Sequence, residues 1–400
     1  LDGGTNPIIV ALDMTMAFNK FRFDILFLKI EAKLPPSVMR VLIFVYQRQY
    51  AWVRWGSQKS SEFGILNGTR QGSVLSPSLF TVYVQELLDK LRANGTGCHI
   101  GDTFLGVVAW DDDFLLTAPT IGAMQSMLDI CSSFAAEVGL QFSTDPNPVK
   151  SKSKAVFVVG RKTDLEKPAP LLLSGKALPY VAHATHLGHN LHEDGTMSMD
   201  TSMRRGAFIG KTLEVHEAFS FAAPSEVLGA VKLYCGDLYG GMLARLDSPP
   251  AGQLMKCWAK TVKDVWGLPR ATHSVYARWL SSGHSSIRED LLSRWPKFFR
   301  SLLSGPSPEA ATLARVAAAD RRSTTAANNA LLLAATGLSA WTATAAEVRS
   351  ELQRREEAMT PEQLSTADYL LELLQTRAEL SLQCEDTTGI SAHIDFLVTH

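Results

Sequence analysis

The chain has 400 residues, 46% hydrophobic and 20% charged, with a formal net charge of −1 at pH 7. This is the composition of an ordinary folded protein with room for two or three domains. It excludes intrinsic disorder, a collagen-like repeat and a coiled-coil rod. No apolar run approaches the roughly 18 residues of a membrane-spanning helix. The charge is spread unevenly: residues 255–300 hold nine Lys and Arg against three Asp and Glu, whereas residues 301–400 hold seven against thirteen. A local basic stretch suits contact with a polyanion, and a solvated helix face accounts for it equally well. Cys98, Cys131, Cys235, Cys257 and Cys384 are widely spaced and never form a C-x-x-C pair. They read as buried thiols of a reducing compartment, not as a zinc module or disulfide framework.

In chain order, residues 7–13 (PIIVALD) read as a buried strand ending in a carboxylate, apolar without alternation. Phe23, Ile25, Leu26 and Ile30 follow at helical spacing. Ser76 and Pro77 read as an N-cap and first helical residue, with Leu79, Val82, Tyr83, Leu87 and Leu91 continuing the helix. Residues 104–110 and 114–118 are two apolar strands joined by an acidic turn, and residues 124–138 are again helical. Residues 154–160 (KAVFVVG) form a strand. Residues 170–192 resemble a hairpin with Ser174, Gly175 and Lys176 at its tip. This order predicts an α+β fold, an antiparallel sheet covered by helices on one face. Beyond about residue 196 the strand signals fade. Residues 196–300 read as helical, with Pro249 and Pro250 marking a connection. Residues 309–346 are rich in Ala and Thr, which favours helix or loosely ordered chain. Residues 347–383 read as a charged amphipathic helix broken near Pro361.

Asp13 closes the first strand, and Asp111, Asp112 and Asp113 lie between two others. Adjacent carboxylates at a strand turn repel one another unless a cation neutralises them. By itself an Asp-rich turn is commonly a solvated turn. Carboxylates from two neighbouring strands can instead hold two divalent ions, the arrangement that catalyses in-line phosphoryl displacement. Magnesium suits such a site, because it takes few protein carboxylates and keeps waters and substrate phosphates.

Several blocks carry a family resemblance. ALDMTMAFNKF at 11–21 resembles the first catalytic block of the reverse transcriptases of non-LTR (LINE-type) retrotransposons, usually of the form LDLSKAFD. GTRQGSVLSPSLFTVYV at 68–84 is similar to their RQG-x-x-LSP-x-LF block, and AWDDDFLLTAP at 109–119 to their Tyr/Phe-Ala-Asp-Asp hairpin followed by LVLLAP. FSTDPNPVKSKSKAVFV at 142–158 is similar to the later lysine-bearing block, and THLGHNL at 185–191 to the primer-grip turn. Further stretches, among them WGLPRATHSVY and DRRSTTAANNALLL, resemble the thumb and post-polymerase region of one branch of these elements. The ordered set runs from about residue 8 to about residue 335.

The resemblance implies an RNA-directed DNA polymerase: a palm over residues 1–195, a helical, basic thumb over 196–300 and an acidic helical region over 301–400. Asp13, Asp112 and Asp113 would be catalytic and hold two Mg²⁺ ions, with Mn²⁺ as a possible substitute and the Met14 carbonyl as a further ligand. Phe18 would be the steric gate that selects deoxynucleoside triphosphates. Arg70, Gln71 and Gly72 would line the nucleotide and template, Gly72 by allowing close backbone approach. Lys152 would sit near the leaving pyrophosphate as general acid or charge stabiliser; Lys150, Lys152 and Lys154 also fit solvent-facing charges on an edge strand. His186, Leu187 and Gly188 would form the primer grip. Trp258, Trp266, Trp279 and Trp295, interleaved with the basic stretch, fit either a core or contact with a template–primer backbone. An RNA template and a DNA primer would be the partners, and the nucleus the location. The chain opens on Leu1, just before the first block, so an endonuclease and fingers region upstream in the same polyprotein is expected.

Three positions depart from the pattern. Trp110 replaces Tyr or Phe, Asp111 replaces Ala, and Asn19 replaces the Asp that normally closes the first block. A one-residue shift of register would make Asp111 and Asp112 the catalytic pair. In the preferred register Asp111 faces the nucleotide or primer end, where its charge would repel phosphates by about 1–3 kcal/mol. A catalytically silent relic, or a nucleic-acid-binding scaffold that keeps the polymerase fold, is therefore the alternative reading. A nuclease would need the same carboxylates but gives no reason for the RQG block or the Phe18 gate.

Overall fold

A computed structural model describes residues 6–69, 72–145, 147–159, 169–236, 238, 240–272, 274–281, 283–356 and 362. The chain divides into two compact units, Leu1–Thr196 and Met197–His400. The first opens with β1 (Ile8–Asp13), the short helix α1 (Ala17–Lys20), α2 (Phe23–Ile30) and α3 (Pro36–Gln47). A two-stranded arm follows, made of β2 (Tyr50–Ala51), β3 (Arg54–Trp55), β4 (Gln58–Lys59) and β5 (Phe63–Gly64). Next come α4 (Ser76–Asn94), the small hairpin β6 (His99–Ile100) and β7 (Thr103–Phe104), then β8 (Val107–Trp110) and β9 (Asp113–Ala118). After α5 (Ile121–Val138) and β10 (Lys154–Phe157), two hairpins close the unit. They are β11 (Leu172–Leu173) with β12 (Lys176–Ala177), and β13 (His183–His186) with β14 (His189–His192).

The central sheet has the order β10-β1-β9-β8, and every pair is antiparallel. β1 is interior and lies against apolar groups on both faces, which is why its sequence shows no polar alternation. Ile8, Val10, Leu12, Phe114, Leu116 and Ala118 point into one core with α4 and α5, whose buried residues include Phe80, Tyr83, Leu87, Met127, Leu128 and Phe134. Each of the Val, Leu, Ile, Met and Phe side chains among them contributes about 1.5–3 kcal/mol on burial. Ala11, Val156 and Val158 face the other way, where they meet Ala184 in a smaller cluster. The expected α+β sheet with helices on one face is what the chain forms.

Three local readings need correction. Ser76 is the first helical residue and Leu75 is the cap, because the Ser76 hydroxyl lies 2.6 Å from Thr69 Oγ1. Residues 170–192 make two hairpins, since Ala155 N and Val181 N bond to Pro179 O and Ala155 O and so tie residues 179–181 to the sheet edge between them. Residues 104–110 break at Leu105 and Gly106; there the Gly97 and Gly106 backbones are so close that a Cβ on either would lie within 2.8 Å of the other's Cα.

The second unit contains α6 (Ser198–Ala218), α7 (Pro224–Cys235), α8 (Pro249–Met255), α9 (Cys257–Val265) and α10 (Val275–Trp279). It continues with α11 (Ile287–Ser304), α12 (Pro308–Ala319), α13 (Thr324–Thr336) and α14 (Ala345–Glu356). No β-strand occurs in this unit among the described residues. Pro249 and Pro250 begin α8 behind the cap Ser248, so they start a helix instead of lying in a connection. Trp258, Trp266 and Trp295 are buried in the apolar core, which makes them packing residues. The Ala- and Thr-rich stretch is helical over α12 and α13. Pro361, most of residues 347–383 beyond α14, and Cys384 lie outside the described residues.

Candidate active site

Strand alternation decides which carboxylates meet. Asp13 continues the Ile9, Ala11 series and Asp113 the Leu115, Thr117 series, so both lie on the face turned away from α4 and α5. The β1–β9 register sets Asp13 directly opposite Asp113, while β8–β9 pairs Trp110 with Asp113. Asp111 and Asp112 are therefore the two turn residues of a tight hairpin. Asp111 takes φ 51°, the left-handed conformation that such turns demand. Within β1 and β9, the carboxylate that faces Asp13 is Asp113.

These groups are crowded. Burial pushes the Asp13 carboxyl above its ordinary value; Lys152 pulls it back and Asp113 raises it further. Burial likewise raises Asp112, a backbone hydrogen bond opposes the rise, and Asp113, Asp13 and Asp111 add to it. Asp13 Oδ2 is buried with no hydrogen-bond partner, which is where an electropositive group would be accommodated. Among the described residues no three His, Cys, Asp or Glu side chains converge into a preformed metal cage. A magnesium ion uses only one or two carboxylates together with phosphates and water, so the facing Asp13–Asp113 pair fits one in kind.

Lys152 lies just before the edge strand β10, and its Nζ is 3.4 Å from Asp13 Oδ1. The lysine is 71% exposed, so the pair is loose and contributes little to stability. Of the two readings of the lysine run, Lys152 is both solvent-facing and aimed at the carboxylates. Two serines that the sequence reading passed over hold it there. Ser153 is fully buried and its Oγ accepts the Asp13 backbone N–H at 3.1 Å, while Ser151 Oγ donates to Ser153 O at 2.6 Å. The Lys/Ser alternation at 150–154 was the available signal.

His186, Leu187 and Gly188 form the β13–β14 hairpin, where His186 pairs with His189 around a two-residue turn. Leu187 and Gly188 both have positive φ, 47° and 76°. Burial lowers the His186 pKa and the Asp113 charge pulls it back up, which puts this imidazole in the field of the carboxylates. Its Nε2 is buried without a partner.

On the other side of Asp13, the buried Met14 bridges to Phe142, and Ser143 N donates to Asp13 O at 2.8 Å. Phe18 is half-buried with its ring centroid 5.0 Å from that of Phe80. Thr69 N donates to Phe18 O and Gly68 N to Phe21 O, both at 2.7 Å. Gly68 (φ 85°) is the glycine the close approach requires: a Cβ there would lie 2.9 Å from the carbonyl oxygens of Phe18 and Asn19. Gly72 also has a positive φ, 83°, and a Cβ there would meet no protein atom within 4 Å, so the space beside its backbone is open. Arg70 and Gln71 lie outside the described residues. Thr69 and Ser76 are joined in a buried hydroxyl chain that runs from Tyr46 to Thr69 (3.1 Å) and on to Ser76.

Residues 2–159 match the family described as reverse transcriptase (RNA-dependent DNA polymerase). The matched segment, about two fifths of the chain, is thus similar to reverse transcriptases. Its relatives include the Pol polyproteins of type-1 retrotransposable element R2 from Bradysia coprophila, 31% identical over 159 residues, and Nasonia vitripennis, 27% over 179. These cover 40% and 44% of this chain but 18% and 17% of the polyproteins. A type-2 element polyprotein from Drosophila melanogaster is 35% identical over 86 residues, 22% of this chain and 8% of that one. The chain thus spans less than a fifth of the length of the relatives it matches. Telomerase structures from Candida albicans and Candida Tropicalis are similar at 14% and 12% identity, with TM-scores of 0.33 and 0.36. They cover 78% and 93% of this chain and 51% and 53% of theirs. The reverse transcriptase segment contains all the sheet carboxylates described above; the β13–β14 hairpin and the second unit lie beyond it.

Proposed function

We propose that this chain is an RNA-directed DNA polymerase of a LINE-type retrotransposon, adding deoxynucleotides to a primer 3′-hydroxyl on an RNA template. The observation that carries the reading is Asp13 facing Asp113, beside the Asp111–Asp112 turn, in the segment that matches reverse transcriptases. Asp13, Asp112 and Asp113 would hold two magnesium ions, for which manganese substitutes. Bound there, the ions would lower the pKa of the primer hydroxyl and neutralise the triphosphate. Phe18, braced on Phe80, excludes a ribose 2′-hydroxyl by filling its space. Lys152, now paired with Asp13, turns to the departing pyrophosphate and donates a proton or stabilises its charge. Arg70, Gln71 and Gly72 line the nucleotide and template, and His186, Leu187 and Gly188 support the primer end. Such an enzyme would work in the nucleus with an RNA template and a DNA primer, as part of a longer polyprotein.

A second reading, a nucleic-acid-binding scaffold without catalysis, is favoured by Asp111, which adds a negative charge to the turn where phosphates would arrive. Primer extension on an RNA template with Mg²⁺ and then Mn²⁺ separates the two. The polymerase reading expects incorporation that disappears in Asp112→Asn. Silence in the wild type with activity in Asp111→Ala would establish the scaffold reading and name the residue responsible.

A further inference from the structure

The segment between α3 and α4 forms an arm that the carboxylate chemistry does not use. Tyr50 pairs with Gly64, Ala51 with Phe63, Arg54 with Lys59 and Trp55 with Gln58. A bond from Ser60 N to Val53 O fills the gap between the two sets of pairs, and one from Ile65 N to Gln49 O extends the ladder at the base of the arm. Every residue from Trp52 to Gly64 is exposed. A lone two-stranded ribbon is marginal in water, yet this one carries Tyr50, Trp52, Trp55 and Phe63 at 55%, 51%, 85% and 49% exposure. So much aromatic surface on an unsupported ribbon marks an interaction surface.

The charges say which kind. Lys59 Nζ sits 3.7 Å from the centre of the Trp52 ring, and Arg54 lies directly across from Lys59. Glu62 is the only carboxylate in residues 49–65. Flat rings interleaved with cations are what a single nucleic-acid strand requires: unpaired bases stack on the rings and the phosphates meet Lys and Arg. A duplex hides its base faces and gains only the charge contact. The arm's descending strand runs within a few residues into Gly68 and Thr69, whose N–H groups donate to Phe21 O and Phe18 O, so the arm joins the chain next to the segment that follows Asp13.

We infer that the 49–65 arm is a stacking surface for a single-stranded stretch of the nucleic acid handled at the carboxylate site, an inference that rests on the polymerase reading above. The test uses the whole chain and fluorescence anisotropy with a short labelled single-stranded RNA, in EDTA and without nucleotides, so that binding is read apart from catalysis. Trp52→Ala/Trp55→Ala is expected to bind about tenfold or more weaker, and Trp52→Phe/Trp55→Phe to recover most of the loss. A blunt duplex should bind the wild type and the double alanine variant alike. Unchanged single-strand affinity in the double alanine variant overturns the inference. So does an effect seen only as a change of oligomeric state in sedimentation, which would make the arm a protein contact. A chain that fails primer extension but loses single-strand binding in the double alanine variant would separate the two claims: the polymerase reading falls and the stacking surface stands.

Discussion

Asp111 is the residue where fold and chemistry pull hardest against each other. Its φ of 51° is fixed by the two-residue β8–β9 turn. For an L-residue the left-handed region costs about 1–2 kcal/mol, less for Asp, whose short side chain tolerates it. Its charge also bears on Asp112, adding a few tenths of a kcal/mol at a partly exposed site. Asp111→Gly removes both burdens but increases the freedom of the unfolded chain by about 0.5–1 kcal/mol. Asp111→Ala removes the charge and keeps the strain without the tolerance of Asp. The glycine variant is therefore expected to be the most stable of the three chains, and the wild type to equal or exceed the alanine variant, with about 1 kcal/mol between the extremes. In urea denaturation that gap is about 0.3–1 M in midpoint. Both variants should incorporate nucleotides faster than the wild type. An alanine variant as stable as the glycine variant would refute the strain argument; faster incorporation by neither would refute the electrostatic one.

Further expectations follow from other positions. Gly68→Ala places a Cβ against two backbone oxygens at positive φ and should destabilise the first unit by about 2–4 kcal/mol, measured by urea denaturation. Asp112 has a raised carboxyl, so its ionised form opposes folding. Asp112→Asn should therefore be more stable than the wild type at pH 7, and the difference should vanish as pH falls below the ordinary value of 3.8. A difference that persists in acid would show that charge is not the cause. The Cys131 thiol is fully buried in α5 and pushed up to about 12 by burial; it should resist alkylation in the native chain and react once urea unfolds it, as followed by mass spectrometry.

Much of the candidate site was legible because strand geometry is periodic. The apolar run ending at Asp13 and the acidic turn between two apolar strands locate the carboxylates but leave open which of Asp111, Asp112 and Asp113 meets Asp13; the register between β1 and β9 decides that. Ser153 and Gly68 were less legible, because their roles are contacts with distant backbone, Asp13 N and Asn19 O, on which local patterning is silent. The Ser76 cap was misread for a related reason: its hydroxyl is taken by Thr69, a tertiary partner that outweighs the local capping preference. The arm at 49–65 gave no strand signal. Its strands are two residues long and exposed on both faces, so there is no buried side to impose alternation. The tryptophans of the basic stretch could be weighed but not assigned, since aromatic rings serve cores and nucleic-acid surfaces alike until burial is known.

The central claim is templated polymerisation at the Asp13–Asp113 pair, and single-nucleotide addition tests it most directly. A DNA primer is annealed to four RNA templates differing at one templating base and supplied with Mg²⁺ and each deoxynucleoside triphosphate in turn. The account predicts that the added nucleotide follows the templating base and that addition is lost in Asp13→Asn and Asp113→Asn. Addition indifferent to the template, addition that survives both substitutions, or cleavage of the strands in place of extension would contradict it.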